Sequence, residues 1–174
     1  MESLQEIGFN YQDSPINHGW KFTEKEPENE PIFTRTSDGH FGNALKIRTT
    51  GKYALDFGVD PAAYIGGSIE FVAKIQGNSK IYAQLSVQSQ DGKTNKNVWL
   101  NFQIGLDKPQ PVGDGKTEWV VYLSPTPLGD GWLKFNANLI EGLDGSCGKQ
   151  GWSFRKLRAI RLRGNLEFAY IKIY

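Results

Sequence analysis

Two stretches of this 174-residue chain alternate apolar and polar residues so regularly that only a β-sheet with one buried face accommodates them. In Lys80–Gln88, residues Ile81, Ala83, Leu85 and Val87 point one way and Tyr82, Gln84, Ser86 and Gln88 the other. In 98–104, Val98, Leu100, Phe102 and Ile104 share the buried side, leaving Trp99, Asn101 and Gln103 outside. A polar stretch around Asp91-Gly92 joins them, which predicts a long-looped hairpin. Weaker alternation marks strands over 44–48 and 53–57, on either side of Gly51, and over 68–75, where Ile69, Phe71, Ala73 and Ile75 share a face. Further strands are expected over 118–123 and 133–139, around a 125–131 loop. The chain closes with 157–163 and 166–174, split by Gly164-Asn165; glycine first suits a type II′ turn, so a tight hairpin is expected. Segments 23–31 and 105–116 read as loops.

Helical periodicity is hard to find, and five Asp-Gly pairs (at Asp38, Asp91, Asp114, Asp130 and Asp144) punctuate the runs as turn signals. About ten short strands with this spacing predict an all-β sandwich or barrel. No linker, repeat or low-complexity tract divides the chain, so residues 1–174 form one domain, with 1–18 an N-terminal extension packing on it. Twenty basic against nineteen acidic residues leave a net charge of +1, which argues against nucleic acid as partner. No apolar stretch approaches the ~20 residues that cross a bilayer, so no membrane partner is expected. The single cysteine, Cys147, makes no internal disulfide and leaves the redox compartment open. The start lacks a signal peptide's basic and apolar regions. Localisation therefore stays open: secreted or cell-surface for a module excised from a longer protein, cytoplasmic for a complete chain.

Several chemistries have no residues to carry them. His18 and His40 are the only histidines and form no metal-ligating pair. No nucleophile elbow, phosphate-binding loop, dinucleotide turn or EF-hand series occurs, and Cys147, in Gly-Ser-Cys-Gly, reads as a bland loop thiol. Asp56, Glu70, Glu118 and Glu167 lie in expected strands without the paired motif of a glycosidase, and read as solvated carboxylates. No catalytic residue is assigned.

What the chain does carry is an unusual outward strand face. A solvated face would present Lys, Glu and Thr; this one presents Tyr82, Gln84, Ser86, Gln88, Trp99, Asn101 and Gln103. Neutral amides offer donors and acceptors together, matching sugar hydroxyls. Aromatic rings cover the C–H face of a pyranose without a charge to desolvate. The expected ligand-binding residues are therefore Tyr82, Gln84, Gln88, Trp99, Asn101 and Gln103. The competing reading covers this face with another segment and makes Trp99 satellite core. Arg161 and Arg163 alternate with Ile160 and Leu162 and share a face; they either pair with carboxylates at a solvated edge or flank the ligand, in which case an acidic sugar fits. Trp20 and Trp119 are expected to plug the sandwich, whereas Trp132 and Trp152, in glycine-rich surroundings, are expected to be more open and to join the site.

These features together resemble a jelly-roll carbohydrate-binding module of the galactose-binding-like β-sandwich superfold. The residues that carry the resemblance are Ser68-Ile-Glu-Phe-Val-Ala-Lys-Ile75, Ile81 to Val87, Glu118-Trp-Val-Val-Tyr-Leu123 and the closing Leu166-Glu-Phe-Ala-Tyr-Ile-Lys-Ile-Tyr174, spanning the chain from about Gly19. It implies two antiparallel sheets, non-catalytic binding of a poly- or oligosaccharide, and a covalently linked catalytic or other domain in the full-length protein. Many such modules hold a structural calcium through an aspartate in the last strand. Phe168-Ala-Tyr-Ile171 offers none, so no cofactor is expected and calcium has no ligand motif. Two other functions suit the scaffold: a protein-interaction or ligand-sensing module of an intracellular multidomain protein, and a polysaccharide lyase or glycoside hydrolase.

Overall fold

A computed structural model describes residues 2–37, 41–104 and 113–174. The alternating runs fold into two stacked sheets. One, of seven strands, runs in the order β10 (Thr126–Gly129), β11 (Trp132–Asn138), β6 (Ser68–Ile75), β13 (Leu166–Ile173), β4 (Asn43–Arg48), β3 (Ile32–Ser37), with β1 (Gln5–Ile7) also paired to β13. The other, of six strands, runs β2 (Trp20–Lys25), β5 (Tyr53–Gly58), β12 (Ser153–Arg163), β7 (Lys80–Gln88), β8 (Asn95–Gln103), β9 (Glu118–Tyr122). The molecule is a jelly-roll β-sandwich.

The inward residues of the two sheets meet in one core. Leu45, Ile47, Ile69, Phe71, Phe135 and Phe168 from one sheet face Ile81, Leu85, Leu100, Phe102, Leu157, Ile160 and Leu162 from the other, all essentially without exposure. Phe71 anchors the first group, stacked on Phe135 at 5.0 Å and tilted against Phe168 at 5.8 Å. Trp20 and Trp119 join this core. So do Ile7 and Phe9, which ties the N-terminal segment to the sandwich together with the pairing of β1 on β13.

The strand count, thirteen among the described residues, exceeds the expected ten or so. The additions are short or polar: β1, the partly polar β2 and β3, and β10, which pairs with β11 where a 125–131 loop was expected. Residues 23–25 of the other expected loop belong to β2. The expected loop at 105–116 falls largely outside the described residues, as does the Asp38-Gly39 turn. A short helix, α1 (Leu139–Asp144), follows β11, its start capped by the Asn138 side chain accepting from the amides of Ile140 and Glu141, each at 3.0 Å.

Two topological expectations are corrected. The six-stranded sheet is mixed, because β9 runs parallel to β8. And β12 and β13 form no hairpin: β12 lies in one sheet and β13 in the other, so Gly164-Asn165 carries the chain across the sandwich. The β4–β5 and β6–β7 connections cross at the same end, and hydrogen bonds knit the three together. Asn165 N–H donates to Asn78 Oδ1 (3.0 Å), Thr49 N–H to Asn165 Oδ1 (2.7 Å), the Tyr53 hydroxyl to Gly164 O (2.6 Å), and the Ser79 hydroxyl to Asn165 O. Gly164 is required there, since its φ is +82° and the Asn78 carbonyl occupies the space of a Cβ.

Candidate functional site

The outer face of the six-stranded sheet collects most of the residues singled out above, and strand register lays them in rows. Across its middle run Lys21, Asp56, Arg161, Tyr82, Asn101 and Val120, one from each strand. On one side of that row, Ala159, Gln84, Trp99 and Glu118 are register partners; on the other, Arg163, Lys80, Gln103 and Tyr122. The pleat thus brings Tyr82, Gln84, Trp99, Asn101, Gln103, Arg161 and Arg163 onto a single surface, with Gln88 at its far end.

The rings on this face do not lie open side by side. Tyr82 and Trp99 meet edge to face, with centroids 6.1 Å apart and planes at 90°. The Arg161 guanidinium lies 3.9 Å from the Trp99 ring centre, and that of Arg163 lies 5.6 Å from Tyr82. Each contact adds of order 0.5–2 kcal/mol and rigidifies the face, but together they leave Tyr82 only 6% exposed and Trp99 half-buried. Burial pushes the Tyr82 phenol above its ordinary pKa, a rise that Arg163 partly opposes.

Both arginines are held by carboxylates. Arg161 donates through Nε to Asp56 Oδ1 (2.7 Å) and through Nη2 to Asp56 Oδ2 (2.9 Å), and the Thr23 hydroxyl also donates to Asp56 (3.1 Å). Arg163 Nη2 lies 3.0 Å from Glu24 Oε2. The expected arginines therefore reach the Trp99 face, yet with their charge neutralised one for one, which removes the reason to expect an acidic sugar here.

The floor of the face holds polar atoms that lack partners. Asn101 and Gln103 are 3% and 7% exposed, and Asn101 Oδ1, Gln103 Oε1 and Gln103 Nε2 are fully buried without a hydrogen bond among the described residues, as is Arg163 Nε. Leaving such a group unsatisfied costs about 1–3 kcal/mol, and native interiors tolerate few of them.

Beside Gln103 stands Tyr122, 56% exposed at the outer edge of the face. Sequence reasoning passed over it, although the alternation that sends Trp119 and Val121 inward sends Val120 and Tyr122 outward. Its strand is anchored by Asp114, which accepts from the Thr117 hydroxyl and from the amides of Lys116, Thr117 and Glu118. The first of these bonds, supported by the others, holds its carboxyl well below the usual range.

Two expected site residues lie elsewhere. Trp132 is 1% exposed, packed on the outer face of the seven-stranded sheet with Ala44, Val72 and Ala169 beneath Phe41, Leu128 and Tyr170; its expected openness is corrected, because its cover comes from segments distant in the chain, which local glycines do not reveal. Trp152 is half-buried against the main core, with Lys96 Nζ 4.3 Å from its ring centre, and does not share the Trp99 face. The four carboxylates also separate: Asp56 and Glu118 belong to this face, whereas Glu70 and Glu167 sit on the outer face of the other sheet, accepting from Tyr170 (3.0 Å) and Thr36 (2.6 Å). Among the described residues no group of three or more His, Cys, Asp or Glu side chains is placed to hold a metal. Among the described residues no helix is long and apolar enough to cross a membrane.

No protein-family model and no curated protein matches the chain. Among solved structures it is similar to a family 11 carbohydrate-binding module from Clostridium thermocellum in complex with a β-1,3-1,4-mixed-linked tetrasaccharide, at 12% identity and TM-score 0.46, covering 97% of this chain and 94% of that one. The likeness is one of fold. TmCBM27, a carbohydrate-binding module described by its mannan recognition, matches at 9% identity and TM-score 0.40 over 97% and 94% of the two chains. A loop-swap mutant of Xyn11A from Necallimastix patriciarum matches at 11% identity and TM-score 0.40 over 97% and 96%.

Proposed function

We propose that the outer face of the six-stranded sheet binds an uncharged poly- or oligosaccharide without catalysis. The observation that carries this reading is the row of buried, unpartnered amide atoms of Asn101 and Gln103 set between aromatic rings on a stiff sheet. Sugar hydroxyls pair with such amides in both directions, and Trp99 and Tyr122 offer ring surface for a pyranose. Gln84 and Gln88 extend the hydrogen-bonding row, and Tyr82 acts as the packed support beneath Trp99. Arg161 and Arg163 line the site as neutralised donors. The non-catalytic reading is supported by Asp56 and Glu24, whose pairing with arginine takes them out of the acid–base couple a glycosidase needs. Affinity is expected in the ~micromolar to millimolar range of an open face that desolvates little.

Gln103→Leu tests the proposal. Removing both unpaired amide atoms with a side chain of similar shape is expected to leave stability unchanged or raised, while weakening binding about tenfold or more. Affinity electrophoresis in gels carrying neutral glucans, mannans, xylans or galactans reads the binding, and denaturant midpoints read the stability. Retardation by none of these polymers, or retardation that both Gln103→Leu and Tyr122→Ala leave untouched, refutes it.

A further inference from the structure

The unpartnered amides of the six-stranded face also constrain which neutral sugar suits them. Asn101 and Gln103 lie two residues apart on β8 and on one face, so their side chains leave the strand about 6.8 Å apart. Register sets Asn101 between Tyr82 and Val120, and Gln103 between Lys80 and Tyr122. Asn101 offers an acceptor, Oδ1; Gln103 offers an acceptor and a donor, Oε1 and Nε2. All three atoms are buried without a partner among the described residues. A ligand that satisfies both residues presents a donor and an acceptor at that separation.

A single hydroxyl spans too little, because its one oxygen holds acceptor and donor at most about 5.6 Å apart. A trans amide spans more, since its N–H and C=O point in opposite directions. The repeat of about 4.8 Å between amides in a β-ladder, plus one further hydrogen bond of about 2.9 Å, carries an acceptor to a donor about 7.7 Å away. That distance lies within the reach of two side-chain amides rooted ~6.8 Å apart. A pair of neighbouring ring hydroxyls relays the same chain of bonds, but the wall beside it discriminates. Val120, half-buried on the same face, sets an aliphatic side chain directly opposite Asn101. A hydroxyl pressed against it loses water without gaining a partner, whereas a methyl group gains apolar contact. Donor, acceptor and methyl in one uncharged group describe an acetamido substituent.

We infer that the preferred ligand of this face is a glycan containing N-acetylhexosamine; the inference rests on the neutral-glycan reading above and narrows it. The acetamido N–H donates to Asn101 Oδ1, its carbonyl accepts from Gln103 Nε2, and its methyl group lies against Val120. Affinity electrophoresis in glycol chitin and in hydroxyethyl cellulose tests this. These uncharged polymers share a backbone linkage and differ in carrying an acetamido group or a hydroxyl beside the anomeric carbon. The wild-type chain is expected to be held about tenfold more strongly by glycol chitin. Val120→Thr, which exchanges a methyl for a hydroxyl at constant shape, is expected to cut retention by glycol chitin about threefold and to leave retention by hydroxyethyl cellulose as it was. Gln103→Leu is expected to weaken retention by both. Retention by glycol chitin no stronger than by hydroxyethyl cellulose, or a Val120→Thr variant with its preference intact, overturns the inference and leaves the neutral-glycan reading standing. Retention by neither polymer overturns the inference too, and extends to the reading itself only where mannans, xylans and galactans also fail to retard the chain.

Discussion

Asp56 shows how one side chain can organise a surface it scarcely touches. Its carboxylate takes two guanidinium bonds and one hydroxyl bond, and so holds Arg161 over the Trp99 ring. With side-chain exposures of 10% and 18%, the pair is sheltered enough that breaking it leaves a cation without compensation. Asp56→Ala is therefore expected to destabilise the chain by about 2–3 kcal/mol and to release Arg161 from the Trp99 ring. A shift in denaturant midpoint checks the first part; a shift of less than about 0.5 kcal/mol, the range of an ordinary surface pair, contradicts it. At this scale the sequence was half legible. Alternation put Arg161 and Arg163 on one face, but a partner 105 residues away in the chain becomes visible only once β12 lies beside β5 in register. Trp132 failed for a related reason: glycine-rich neighbours looked open, while its cover comes from Phe41 and Tyr170 in distant segments.

Among the elements, strands with strong alternation were readable and their partners were not. Ile69, Phe71 and Ala73 on β6, or Ile81, Leu85 and Val87 on β7, announce which side is buried. The pattern says nothing of which sheet a strand joins, because both sheets bury the same kind of face. Gly164-Asn165 illustrates the ambiguity: positive φ at glycine serves a hairpin and a crossing equally well. The two topologies differ in what substitution does. In a hairpin turn a β-carbon at Gly164 would cost only the strain of a positive φ, roughly 1 kcal/mol. In the crossing it also strikes the Asn78 carbonyl and disturbs the bonds that join three connections. Gly164→Ala is accordingly expected to cost about 2–4 kcal/mol and to speed hydrogen exchange at Asn165 and Thr49. A loss of 1 kcal/mol or less would favour the hairpin.

For the molecule as a whole, the sandwich class followed from alternation and turn signals, while its extent did not. The resemblance ran from about Gly19, yet Phe9, fully buried, stacks on Trp20 at 6.2 Å, and Ile7 fills the same core. The alternation of Ile7, Phe9 and Tyr11 is too short, and too interrupted by Gly8, to mark a strand by itself. The packed whole also fixes a response to alkali. Tyr53, buried with its hydroxyl donating to Gly164 O, and Tyr82, buried on the outer face, both have phenols pushed above the ordinary value by burial, with Arg163 opposing in each case. The folded state therefore keeps protons that the unfolded chain releases near pH ~10. Stability from the neutral phenols is complete below that pH and is lost as pH rises towards the folded values, with a slope approaching ~1.4 kcal/mol per pH unit for each tyrosine. Unfolding free energy is expected to be level from pH 7 to 9 and to fall steeply between pH 10 and 11.5. Tyr53→Phe, which has no proton to lose, should flatten part of that fall, the phenols of Tyr82, Tyr170 and Tyr11 also being raised by burial, while lowering stability at neutral pH through the lost bond to Gly164. Chemical denaturation of both proteins across this range decides the matter: parallel profiles would mean that Tyr53 ionises as freely in the folded molecule as in the open chain.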